Sequence, residues 1–104
     1  MEKKYSKSKY LPLTEATYYI MLALVEPKHG YAVMQEAEDV SGGTLRLAPG
    51  TTYGALTTLE EGKLIQMVGT EGRRKFYQLT DKGLSVLHEQ IRRLRIMLLN
   101  AEKI

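Results

Sequence analysis

Cysteine is absent from the 104 residues, which removes disulfides, thiolate metal sites, thiol nucleophiles and redox switches at once and fits a reducing cytoplasm. Histidine is scarce too. His29 and His88 stand far apart in the chain, and neither sits at a metal-ligand spacing from a second histidine or a carboxylate pair. His29 reads as a turn residue and His88 as a surface or interface residue. The glycines are scattered singly or as Gly42-Gly43, without the spacing that wraps a pyrophosphate. No apolar run approaches the ~20 residues of a membrane span, and the longest, Ala16 to Val25, contains Thr17 and two tyrosines. The lysine-rich N-terminus lacks the apolar stretch and cleavage site of a signal peptide. These absences predict a cytoplasmic protein that works by binding rather than catalysis, with no metal, cofactor or membrane partner.

What remains is the composition of one ordinary domain, 43% hydrophobic and 26% charged with a net charge of +3, long enough to bury roughly two-thirds of its unfolded surface without a staple. So small a net charge identifies no partner by itself. Its distribution is more informative: +3 over residues 1–10, −3 over 11–48, +1 over 49–79 and +2 over 80–104. Residues 1–10 mix Lys, Ser and Tyr without hydrophobic periodicity and read as a basic flexible arm, either a solvated tail or a segment that tracks phosphates.

Helical spacing begins at Leu13. Thr14 suits an N-cap, Ala16, Ile20, Ala23 and Leu24 recur on one face, and Pro27 bounds a helix to Val25. Tyr18, Tyr19, Met21 and Leu22 make it apolar nearly all round, which demands burial on more than one side. After a Lys28-His29-Gly30 turn, a second helix is predicted over Tyr31 to Val40, ended by Gly42-Gly43. Thr44 to Leu47 reads as a short extended segment. Pro49 opens a third helix to about Glu61, with Leu56 and Leu59 inward and Gly62 as its stop. Leu64 to Val68 and Lys75 to Leu79 are β-prone, joined by a six-residue basic tip from Gly69 to Arg74. A last helix runs from Asp81 to Ile104, and Leu84, Leu87, Ile91, Leu94 and Leu98 form an a/d seam along it. At ~36 Å it exceeds what so small a domain needs for its own core. A dimer seam is the expectation, an intramolecular packing face the alternative.

This order of elements is that of a winged helix-turn-helix, a mainly α fold with a small β-hairpin wing, here over residues 11–80, followed by a dimerisation helix over 81–104. Such a fold lays its third helix in the major groove. Thr51, Thr52 and Thr57 would present hydroxyls and methyls to base edges and phosphates, with Tyr53 beside them. Lys63, Arg73, Arg74 and Lys75 would supply cations, and Lys28 and Tyr31 flank a second-helix N-terminus whose free N–H groups suit a phosphate. A winged helix can instead serve as a protein adaptor that never touches DNA; the basic wing is what such an adaptor would not need.

Taken together, Leu13-Thr14-Glu15, His29-Gly30-Tyr31, Pro49-Gly50-Thr51-Thr52-Tyr53-Gly54-Ala55-Leu56, Leu59-Glu60-Glu61-Gly62-Lys63-Leu64-Ile65, Arg73-Arg74-Lys75-Phe76-Tyr77-Gln78-Leu79-Thr80 and Lys82-Gly83 resemble the PadR family of bacterial transcriptional regulators over about residues 11–95. The resemblance implies a homodimeric repressor on an inverted-repeat, double-stranded DNA operator, with the last helix packed against the partner's first and last helices and release by small aromatic or drug-like molecules. Ala48 stands where the family often has serine, Gly54 where it often has proline, and Thr57-Thr58 where it often has a more basic pair. A single C-terminal helix looks like the short branch of the family. Tryptophan, which some drug-binding relatives use to stack ligands, is absent, so Tyr18, Tyr19 and Leu22 of the first helix with Ile91, Arg95 and Leu98 of the last are the candidates for a flat slot that takes a planar aromatic effector.

Overall fold

The computed structural model describes residues 7–104. Most of the basic arm lies outside the described residues, and its last four, Lys7–Tyr10, form a 3₁₀ turn. Helix α1 (Glu15–Ala23) opens where the sequence places it, with the Thr14 hydroxyl accepting the Thr17 N–H at 3.1 Å. It closes two residues before Val25 because the following backbone is committed elsewhere. Leu24 O accepts from Leu79 N–H at 2.8 Å, Lys28 exchanges both backbone hydrogen bonds with Tyr77, and Lys28 Nζ donates to the carbonyl of Ala23 at 2.7 Å, closing the helix end.

Helix α2 (Gly30–Val40) begins one residue earlier than expected, since His29 is its N-cap and accepts the Ala32 N–H at Nδ1. Consecutive positive φ angles at Gly42 and Gly43, +67° and +80°, then turn the chain. Thr44 to Leu47 forms no strand, because the hairpin beyond takes its outer pairing from the loop at Lys28. Helix α3 spans Pro49–Glu61 with Pro at its first turn and no side-chain cap from Ala48. It ends in a Schellman motif, Leu64 N–H to Leu59 O at 2.9 Å and Lys63 N–H to Glu60 O at 3.0 Å, which puts Lys63 rather than Gly62 at positive φ (62°).

Strands β1 (Ile65–Glu71) and β2 (Arg74–Leu79) pair antiparallel from Ile65↔Leu79 to Glu71↔Arg74, with a bulge at Val68. The wing is therefore a longer ribbon than its alternation suggested, and its tip is two residues, Gly72-Arg73, instead of six. Gly72, at φ +62°, fills the first turn position, where a tight hairpin requires that conformation. Helix α4 (Asp81–Ala101) starts on the Thr80 hydroxyl, which accepts Gly83 N–H at 3.0 Å.

The core gathers Ile20, Met21 and Leu24 of the α1 segment, Val33 of α2, Leu56 and Leu59 of α3, Leu64 and Ile65 at the hairpin entry, and Val86 and Leu87 of α4. Helix α4 divides along its length. Gly83, Val86, Leu87 and Gln90 are buried, and the Gln90 Oε1 accepts the Leu13 N–H at 2.9 Å. Farther on, Ile96, Met97, Leu98 and Leu99 are 46–64% exposed. The expected seam is split accordingly: Leu87 is only 2% exposed and belongs to its own domain's core, Ile91 and Leu94 are half-buried, and Leu84 and Leu98 face solvent.

Candidate nucleic-acid interface

Helix α3 buries Thr52, Leu56 and Leu59 and turns Thr51, Tyr53, Gly54, Thr57 and Thr58 outward. Thr52 therefore leaves the expected contact set. It is fully buried, and its hydroxyl donates to Ala48 O at 3.0 Å, a carbonyl that also accepts the Thr52 N–H. Thr57 donates to Tyr53 O at 3.0 Å while remaining exposed, so its oxygen lone pairs and methyl still face outward. The small outward face lets another surface approach the α3 backbone: a Cβ added at Gly50 or Gly54 would meet nothing within 4 Å.

Tyr53 is placed by a glycine on the neighbouring helix. A Cβ at Gly30 would lie 2.6–2.7 Å from the Tyr53 ring, so the ring rests against the first turn of α2 at a distance only glycine permits. Tyr31, one residue on, is 56% exposed, and its hydroxyl accepts from Gln35 Nε2 at 3.0 Å. Between this turn of α2, the face of α3 and the wing runs a cleft of about 430 Å³ lined by Tyr31, Tyr53, Thr57, Arg73, Arg74 and Lys75 among others. The three cations are exposed, and among the described residues none of them has an ion pair. Lys63 stands exposed at the C-terminal end of the same helix.

Lys28 does not join them. Its ammonium lies 3.4 Å from the Glu36 carboxylate and donates to Ala23 O, and its side chain is 19% exposed, so its charge is spent inside the domain. Tyr77, at the floor of the cleft, has its phenol held above the usual range by burial, with Glu60 and then Tyr53 adding to the effect.

The residues expected to hold an aromatic effector lie on the packed pair α1 and α4. Tyr18 and Tyr19 meet edge to face at 5.4 Å, both half-buried with Leu22, while Ile91 is half-buried and Arg95 and Leu98 point to solvent.

Three positions escape sequence reasoning. His29 reads as a turn residue, because a capping histidine is visible only once the helix start is known. Gln90 follows Val86 at helical spacing, which is a signal for an inward polar group. The third is Tyr10, which the sequence places in the arm. Its half-buried ring packs on the core, and its hydroxyl accepts from Lys82 Nζ at 3.0 Å, an ammonium that also donates to Gly62 O. That hydrogen bond lowers the Tyr10 pKa from its ordinary value.

Among the described residues no group of three His, Cys, Asp or Glu could hold a metal ion, and no helix is long and apolar enough to cross a membrane. Residues 20–89 match the Transcriptional regulator PadR-like family. The transcriptional regulator YqjI of Escherichia coli K12 is 33% identical over 64 residues, covering 62% of this chain and 31% of that protein. A PadR-like transcription factor of Bacteroides fragilis superposes with TM-score 0.70 at 29% identity, over 84% of this chain and 86% of the other. A PadR family regulator of Clostridium difficile R20291 superposes with TM-score 0.72 at 24% identity, over 86% and 97% of the two chains. The chain spans less than a third of the length of the first curated relatives it matches.

Proposed function

Since this chain belongs to the Transcriptional regulator PadR-like family, we propose that it is a homodimeric, sequence-specific DNA-binding repressor acting in the cytoplasm. The observation that carries the reading is the cleft itself, where the open face of α3 and three unpaired cations of the wing converge. In this reading α3 enters the major groove with Thr51, Tyr53 and Thr57 toward base edges, while Arg73, Arg74, Lys75 and Lys63 lie along phosphates. Tyr31 and the start of α2 face the backbone at the groove's edge. A protein adaptor has no use for three unpaired cations beside a helix of threonines and glycines.

The exposed apolar half of α4 supplies the second element, a surface that a second copy covers. Two copies would bring Tyr18, Tyr19, Leu22, Ile91, Arg95 and Leu98 around the two-fold axis and complete a slot for a planar aromatic effector. Such a ligand alters operator affinity only by its preference for one spacing of the two α3 helices.

Selection of bound duplexes from a random pool tests the reading. The expected product is an imperfect inverted repeat with half-site centres about 34 Å apart or a small multiple of that. Bound sequences without two-fold symmetry would overturn the dimer, and retention of no duplex at low salt would overturn DNA binding. Aromatic compounds that quench tyrosine fluorescence and release the selected duplex would support the slot; quenching that survives Tyr19→Ala and Leu98→Ala would place it elsewhere.

A further inference from the structure

The outer edge of β2 is tied to the loop before α2 by a short series of hydrogen bonds. Leu79 N–H donates to Leu24 O at 2.8 Å, Gln78 Nε2 to Val25 O at 3.0 Å, Tyr77 N–H to Lys28 O at 2.9 Å and Lys28 N–H to Tyr77 O at 3.0 Å. Among the described residues no backbone pair continues along that edge past Tyr77. On the other strand the register slips at this same level, from Met67↔Tyr77 to Gly69↔Phe76 with Val68 left over. A bulge bends its strand and sharpens the twist, so the direction of the outer ribbon is set here, where its attachment to the domain stops.

At this level one further contact is made. The His29 ring meets the Phe76 ring edge to face, with centroids 5.2 Å apart and planes at 90°, a preferred aromatic geometry. His29 is itself fixed, because Nδ1 caps α2 through the Ala32 N–H at 3.4 Å. Its neighbour Gly30 carries the Tyr53 ring of α3. Two consecutive residues thus touch the wing on one side and the recognition helix on the other.

We propose that His29 is a positioning residue that aims the basic ribbon, Arg73, Arg74 and Lys75, relative to α3 through its edge contact with Phe76. Asparagine would cap the helix equally well but does not reach Phe76, and phenylalanine would reach but offers no lone pair to Ala32. Histidine does both. The functional consequence rests on the DNA-binding reading above; the aiming itself does not.

Those two substitutions separate the roles. In this cysteine-free chain, Arg73→Cys with Thr58→Cys gives two sites for spin labels, one on the wing tip and one on α3, diluted with unlabelled chains so that only distances within a chain are read. The distance distribution is expected to be narrow with His29 and with His29→Phe, and broad or displaced with His29→Asn and with Phe76→Leu. The Phe76 variant decides the matter even where His29→Phe fails to fold. A role confined to capping gives the reverse order, with His29→Asn unchanged, and overturns the proposal, as do distributions identical in all variants. On the selected duplex, His29→Asn is expected to show the shallower salt dependence of an Arg73→Ala, Arg74→Ala double variant; broadened distances with a full salt slope would overturn the positioning role. A parent protein that binds no duplex would defeat the DNA reading and leave the label distances to decide the aim.

Discussion

Two backbone positions where the end of α3 meets the start of α4 make opposite demands on side-chain size. Lys63 holds φ of 62°, a left-handed conformation that costs a residue with a Cβ roughly 1 kcal/mol or more. The Thr80 hydroxyl donates to its carbonyl at 2.7 Å and helps hold it there. Lys63→Gly is therefore expected to raise unfolding stability by about 1 kcal/mol. Gly83 is the converse, since a Cβ there would run into the Leu64 carbonyl, a backbone group with no freedom to move aside. Gly83→Ala should cost about 3 kcal/mol, the upper part of the overpacking range. Urea unfolding of the two variants checks both signs. Neither constraint is legible in the sequence, because Gly62 reads as the glycine stop and Lys63 as a cation for the nucleic acid, while nothing local marks Gly83 as pressed against another backbone.

Tyrosine ionisation provides a second residue-scale check. Tyr10, hydrogen-bonded by Lys82, has a folded value lowered from 10.0. The stability linked to it is present above pH 10 and lost as pH falls through the lowered value. Tyr77, half-buried and near Glu60, is raised from 10.0 by desolvation first and by Glu60 next, so its contribution is complete below pH 10 and lost as pH rises through the raised value. Tyrosinate absorbance is expected to lose its earliest step in Tyr10→Phe and a late step in Tyr77→Phe; the opposite assignment would mean that the Lys82 contact does not form in solution.

At the scale of elements, the wing is the part whose chemistry separates most cleanly from the rest. Arg73 sits in the two-residue tip and Arg74 begins β2 beside it, both exposed, so replacing both with Ala should leave the fold intact while removing the charges that the proposed function places along phosphates. The slope of log K against log salt is expected to flatten by roughly 0.9 for each phosphate no longer neutralised, up to four per dimer. An unchanged slope would take the wing off the DNA. The helices were readable because their signals are local: Thr14 as a cap, Pro49 at a first turn, and Leu56 and Leu59 on an inward face. The hairpin bounds were not. The ribbon runs on through Gly69, Thr70 and Glu71, a stretch without alternation whose pairing comes from the partner strand. Thr44 to Leu47 failed for a similar reason: strand propensity needs an edge to pair with, and the loop at Lys28 holds that edge. Thr52 misled because outward and inward threonines look alike until neighbouring Ala48 shows a carbonyl for the hydroxyl to satisfy.

For the molecule as a whole, the division of α4 is the feature on which the proposed dimer rests. Leu94 and Leu98 lie beyond the last fully buried residue of the helix, Gln90, Leu94 half-buried and Leu98 exposed. Leu94→Glu with Leu98→Glu is therefore expected to give folded monomers by light scattering, with the helical signal retained. A double variant that remained dimeric would place the subunit contact elsewhere. The heptad pattern was plain in the sequence, but its assignment to a single interface was not, because Leu87 falls on the inward side and belongs to the domain's own core. In the proposed dimer this makes α4 a continuous lever. Its inner half is keyed to the domain by Gly83 against Leu64 and by Gln90 on Leu13, and no break interrupts its 21 residues. Over a rod of ~31 Å, a tilt of about 10° at the subunit contact swings the far end by about 5 Å, nearly half the width of a major groove. A subunit contact that rocks by so little would throw one of the paired α3 helices out of phase with the DNA, with no rearrangement inside either domain.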